Sequence, residues 1–159
     1  MSGRAQLPSN KETNLSKAQL FIVINPPLNF NLKIDKINVK IPSRWMIAVF
    51  NPVPIKWLTA DGRQNEARYA LIKGEAPPEN SKLFEVAKIP DSKLGNVEAR
   101  IRSVLPDENP LGEMQFNREY VREVLNNLVD GGIIGEHQAR DTFLAVETYC
   151  LQLKKSSSR

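Results

Sequence analysis

Residues 97–125 read VEARIRSVLPDENPLGEMQFNREYVREVL, and the spacing of the apolar residues changes within this stretch. Before Pro106, apolar side chains recur at every second position, as in a strand with one buried face. After it, Val121, Val124 and Leu128 are separated by three and four residues, which is the pattern of an amphipathic helix. The stretch therefore predicts a β-rich body followed by a helical end.

Upstream, the body begins with a continuous apolar run over residues 19–24, which predicts a buried strand. Residues 30–41 alternate between apolar and polar side chains, with one extra residue at Asp35–Lys36 that predicts a β-bulge. Residues 45–50 form another apolar run, followed by Asn-Pro-Val-Pro at 51–54. Since proline cannot donate a hydrogen bond to a neighbouring strand, we expect this run at a sheet edge or outside the sheet.

Two hairpins are predicted in the rest of the body. The first joins residues 55–60 to residues 67–73 across Asp61-Gly62, and the second joins residues 83–89 to residues 97–104. A helix is an alternative for residues 97–105, because Ala, Glu and Arg favour helices.

Two helices are predicted after the prolines at 106 and 110. Asn117 is a favourable N-cap residue for the first helix, and Gly131-Gly132 provides its end. The second helix is expected from about residue 136 to residue 153, where the apolar residues form one stripe. The members of that stripe are Ala139, Phe143, Val146, Cys150 and Leu153.

These patterns predict a mainly β, α+β fold: a bulged antiparallel sheet that forms a barrel or sandwich, followed by a two-helix hairpin. The expected divisions are a flexible basic arm at 1–18, a β-rich domain at 19–105, a helical hairpin packed on it at 106–153 and a basic tail at 154–159. Residues 19–102 carry a net charge of +5 and residues 103–153 a net charge of −6. A chain with this polarity can associate head to tail with copies of itself, or bind a polyanion on one side.

The composition argues against most catalytic classes. The single histidine, His137, and the single cysteine, Cys150, lie thirteen residues apart on one predicted helix, about 20 Å at 1.5 Å per residue. They are therefore too far apart for a thiolate–imidazole pair. No phosphate-binding glycine loop or nucleophile elbow is present in the sequence. We therefore expect that the protein is not an enzyme and that it has no catalytic residues, no metal and no cofactor.

The sequence also gives an expectation for location. One cysteine fits a reducing intracellular compartment such as the cytoplasm, or the interior of a virus particle. No apolar run approaches membrane-spanning length, so we expect no membrane insertion, and the start of the chain does not have the pattern of a cleaved signal.

Basic and aromatic residues of the body are the candidates for binding a partner or nucleic acid, since cations contact phosphates and aromatic rings stack on bases. They are Lys33, Lys36, Lys40, Arg44, Trp45, Trp57, Arg63, Arg68, Arg100 and Arg102. Our main expectation is a non-catalytic structural subunit of a multi-protein assembly, as in a viral or phage particle, with other protein subunits as partners through self-association or hetero-assembly. The alternative is a single-stranded nucleic-acid-binding protein that uses the β-domain.

Overall fold

The protein is described here by a computed structural model, which covers residues 17–32, 37–41, 43–52, 54–61, 71–104 and 115–157. Its strands, in chain order, are β1 (Ala18–Asn25), β2 (Leu28–Leu32), β3 (Ile37–Ile41), β4 (Ser43–Pro52), β5 (Ile55–Asp61), β6 (Leu71–Lys73), β7 (Lys82–Ile89) and β8 (Gln115–Phe116). Its helices are α1 (Leu94–Ser103), α2 (Arg118–Asp130) and α3 (Glu136–Ser157), with a short 3₁₀ turn at Asp91–Lys93 before α1.

The main sheet is antiparallel, with its strands in the order β6-β5-β4-β1-β7. The short β8 pairs in parallel with the start of β4, and β2 and β3 form a separate antiparallel pair. The α+β class is confirmed. The sheet is open and does not close into a barrel, since within the described chain β6 and β7 are its two edges.

The three helices pack on one face of the main sheet, which we call the inner face. Alternate residues of β1, Leu20, Ile22 and Ile24, share a buried core with Val121 of α2 and Val146 of α3. On the opposite, outer face, Val23, Met46 and Ala48 form a second and smaller buried cluster. The strict alternation of strand side chains is what divides each central strand between these two environments.

Two strand predictions were wrong for reasons of topology. β4 lies inside the sheet, paired with both β1 and β5, and Pro52 occurs only at its last position, opposite Ile55. The second hairpin is absent from the described residues, because β7 pairs with β1 and residues 94–103 form α1. Val97 and Ile101, four residues apart, both pack into the core from that helix.

The alternating stretch at residues 30–41 is also divided differently from the prediction. β2 and β3 pair with each other, and their register runs from Leu28 opposite Ile41 to Leu32 opposite Ile37. The chain therefore reverses direction within the stretch, where the sequence favoured a bulge in one continuous strand. A bulge does occur in β7, where its pairing with β1 shifts register between Leu20 and Phe21.

The two predicted helices after Pro110 are present, and their apolar stripes face the core. In the second stripe Ala139, Val146 and Cys150 are buried, whereas Phe143 and Leu153 are partly buried. α3 begins at Glu136 as predicted and continues to Ser157. Asn117 precedes α2, but its backbone is left-handed (φ 67°) and its side chain makes no capping hydrogen bond. The capping role expected of Asn117 is therefore wrong, since a capping side chain normally requires an extended backbone at that position.

Candidate binding surface

The basic residues predicted to contact a partner are, where the structure describes them, engaged within the chain. Arg44 forms an ion pair with Asp61 of β5, whose side chain is buried. Because burial of the carboxylate requires a nearby positive charge, this arginine has a structural role in joining β4 to β5. The pair crosses two neighbouring strands on the outer face.

Arg100 and Arg102 lie on α1 rather than on a strand. The Nη1 group of Arg100 donates hydrogen bonds to the backbone oxygen of Asn127 (2.9 Å) and to its side-chain Oδ1 (2.6 Å). Lys93 donates to the backbone oxygen of Gly132 at 3.0 Å. These two cations contact the carbonyl end of α2, where positive charge is favourable. Arg102 pairs on the exposed face of α1 with Glu98.

The two tryptophans occupy opposite faces of the sheet. Trp45 is fully buried on the inner face, 4.9 Å from the ring of Phe143 in α3. Trp57 is half-buried on the outer face. Trp45 is therefore a core residue of the folded chain, whereas Trp57 keeps part of its surface exposed.

The remaining candidates cannot be placed. Lys33, Lys36, Arg63 and Arg68 lie outside the described residues, and Lys40 belongs to β3, whose side chains are not described. Their assignment as contact residues stays a prediction.

An apolar surface surrounds Trp57. The register places Phe50 opposite Trp57, with ring centres 4.7 Å apart, and the ring centre of Phe21 on β1 lies 6.0 Å from that of Trp57. Ile55, two residues before Trp57 on the same strand, is 80% exposed. We call Phe21, Phe50, Ile55 and Trp57 the aromatic patch. It lies on the outer face toward the turn between β4 and β5.

The rim of this patch toward β7 is close to neutral. Gln19 donates a hydrogen bond to Glu85 at 3.2 Å, and Lys88 lies 3.8 Å from the same carboxylate oxygen. The positive charge of Lys88 is therefore balanced by its neighbour. A surface with half-buried aromatic rings, an exposed aliphatic side chain and a neutral rim is typical of protein–protein contacts.

Of the four residues of the aromatic patch, only Trp57 is among the contact residues predicted from the sequence. Phe21 was treated as part of a wholly buried run, although alternation places it on the face opposite Leu20 and Ile22. Phe50 and Ile55 flank the Pro52–Pro54 turn. A hairpin prediction across that turn, in place of an edge strand, would have put both beside Trp57.

Cys150 and His137, the two reactive groups considered in the sequence, lie in different environments on α3. Burial raises the pKa of the Cys150 thiol to about 11; the Ser43 hydrogen bond and Arg118 act in the opposite direction, and Glu147 adds to the rise. At neutral pH the thiol is protonated and hidden from solvent, so it is a poor nucleophile. His137 lies on the surface of α3 beside Arg140, 2.6 Å away. In the described part of the chain, no group of three or more His, Cys, Asp or Glu side chains is placed to hold a metal ion.

Within the described residues, no helix has the length and hydropathy needed to cross a membrane. Comparison with known protein families, with curated proteins and with solved structures gives no match for this chain.

Proposed function

We propose that this protein is a non-catalytic interaction subunit of a multi-protein assembly, and that the aromatic patch is a contact surface for another protein subunit. The observation that carries the proposal is the exposure of Ile55 beside three clustered aromatic rings. Large apolar side chains at the centre of a patch dominate the energy of protein contacts once a partner removes them from water.

The charges of the described residues favour a protein partner over nucleic acid. Arg44, Arg100 and Arg102 are paired within the chain, and Lys88 beside the patch is balanced by Glu85. Contacts to a phosphate backbone need cations that are free to lie along the strand. The near-neutral rim supports a partner that offers apolar surface.

Ile55→Asp is the direct test, because a side chain this exposed contributes little to the fold. Fully burying an isoleucine is worth about 1.5–3 kcal/mol, so a charge at this position should weaken association by about tenfold or more. Association would be measured by light scattering on the purified full chain and by capture of co-purifying proteins. Leu83→Asp is the matched control, since Leu83 is exposed on the same face but lies opposite Val23 on β7, three strands away from Ile55.

A protein that remains monomeric at high concentration, and captures no protein in an Ile55-dependent way, would refute the proposal. Equal weakening by Ile55→Asp and Leu83→Asp would also count against it, since the effect would then be unrelated to the patch.

Single-stranded nucleic-acid binding is the second candidate, and the row of rings favours it. Phe50 and Trp57, both partly exposed, lie side by side across β4 and β5, and neighbouring aromatic rings of this kind can stack with bases. Fluorescence anisotropy with a labelled single-stranded oligonucleotide at low salt tests this candidate. Binding that is lost in Trp57→Ala supports it, and absence of binding at low salt rejects it.

A further inference from the structure

A groove lies on the inner side of the molecule, where α1 leaves part of β4 and β5 uncovered. It has a volume of about 240 Å³. Val49 and Leu58 form its floor, Leu94 and Gly95 form its wall, and Lys56 and Glu98 stand at its rim. We call this the α1 groove. It lies on the opposite face of the β4–β5 hairpin from the aromatic patch, because Lys56 alternates with Ile55 and Trp57.

The rim of the α1 groove carries one charge of each sign. Glu98 is 3.2 Å from Arg102, one helical turn further along α1. Lys56 is exposed and forms no ion pair among the described residues. An occupant with an apolar centre, an acidic group beside Lys56 and a basic group beside Glu98 would match this rim.

The same chain carries such a surface on α3. Leu144 is 54% exposed and Leu151 is 47% exposed. Their separation of seven positions in the sequence corresponds to about two turns, or about 10 Å along the helix, so both lie on one face. Asp141 and Arg140 precede Leu144 by three and four residues, which makes them its neighbours on the helix surface. Both side chains are more than half exposed. We call Arg140, Asp141, Leu144 and Leu151 the α3 ridge.

From this correspondence we infer that the α1 groove binds the α3 ridge of a second copy of the chain, with Leu144 over Val49 and Leu58, Asp141 beside Lys56 and Arg140 beside Glu98. The inference rests on the assembly role proposed above and identifies one partner as the protein itself. Groove and ridge are different surfaces of one molecule, so the contact is head to tail and adds copies in series or in a ring.

A complementation experiment with two blocked variants tests this contact. Leu144→Glu replaces the apolar side chain of the α3 ridge that would enter the groove, and it leaves the α1 groove intact. Gly95→Phe is designed to fill the groove and leave the ridge intact. The Cβ that this change adds at Gly95 meets no atom within 4 Å. Each variant alone should associate at least about tenfold more weakly than the wild type. Mixed together, they should form a 1:1 dimer that does not grow, as measured by light scattering.

The charges provide a second and independent readout. Lys56→Asp and Asp141→Lys should each weaken association about tenfold, and the double variant should regain most of the loss, because the exchanged charges again face each other. Leu83→Glu is the control and should associate like the wild type.

The outcomes separate this contact from the general assembly role. A mixture of Leu144→Glu and Gly95→Phe that stays monomeric, or single variants that associate like the wild type, would overturn the head-to-tail contact. If the wild type is monomeric alone but captures another protein through Ile55, this inference fails and the assembly role stands. If it neither self-associates nor captures a partner, both fail.

Discussion

Replacing Arg100 by alanine separates a structural role for this side chain from a role in contacting a partner. In the fold, its guanidinium joins α1 to the end of α2 through two acceptors on Asn127, at 2.9 and 2.6 Å. The side chain is only partly exposed. The contact therefore links two helices that are separated in the chain by residues 104–117.

The expected cost follows from these contacts. A hydrogen bond to a charged group contributes about 1.5–3 kcal/mol, and the lower end applies here because one nitrogen serves both acceptors and water reaches the site. The favourable position at the carbonyl end of α2 adds about 0.3–1 kcal/mol. Arg100→Ala should therefore lower the free energy of unfolding by about 2–2.5 kcal/mol, which corresponds to a decrease in Tm of about 4–10 °C for a chain of this size.

Arg102→Ala is the matched control two residues away. Its exposed pair with Glu98 spans one helical turn and contributes about 0.3–0.5 kcal/mol. Urea unfolding followed by circular dichroism would measure both variants. A double-mutant cycle with Asn127→Ala isolates the hydrogen bond from Arg100 to the side-chain Oδ1 of Asn127, since the backbone acceptor is retained, and we expect a coupling of at least about 1 kcal/mol.

The structural role of Arg100 would be refuted if Arg100→Ala and Arg102→Ala each lowered the free energy of unfolding by less than about 0.5 kcal/mol. The Arg100 guanidinium would then be dispensable for stability and available to a partner, as the sequence alone had indicated.

Two further predictions concern the core and the turn between α2 and α3. Burial raises the pKa of the Cys150 thiol from 9.0 to about 11, so the protonated thiol stabilises the fold below pH 9, and this stability is lost as the pH rises from 9 to 11. Urea unfolding should show a loss of about 2–3 kcal/mol over this range. The loss should be absent in Cys150→Ala. Gly132 has φ +69°, and a Cβ there meets no atom within 4 Å, so Gly132→Ala should cost about 1 kcal/mol from backbone strain alone. Gly95→Ala, equally open but in a helical conformation, should be neutral or stabilising by thermal unfolding, and a similar loss in both variants would contradict the strain argument.

The two helices α2 and α3 could be predicted because the spacing of apolar residues within each segment is enough to identify a helix. The spacing of Val121, Val124 and Leu128 is compatible with a helix and with no strand, and all three are buried in the position that spacing requires. The start of α3 and its stripe from Ala139 to Cys150 follow in the same way. In such segments, one periodicity decides both the element and the face that it buries.

For residues 97–104, the spacing of the apolar residues does not identify the secondary structure. Val97 and Ile101 fit a strand at alternate positions and a helix at a spacing of four, so the pattern alone does not choose. The tertiary structure decides for α1, because the helix places both side chains in the core and brings Arg100 to Asn127. The position of β4 inside the sheet was likewise decided by its pairing with β1 and β5, which no local pattern encodes.

The same distinction between sequence and tertiary structure applies to the candidate binding surface. The sequence by itself determined which residues are aromatic or charged, and so it contained Trp57 and every member of the α3 ridge. Only the tertiary structure decided that Trp45 faces the helices while Trp57 faces outward, and that Arg44 is paired with Asp61. The physical reason is that the availability of a side chain depends on partners distant in the chain, and those partners are brought close only by folding.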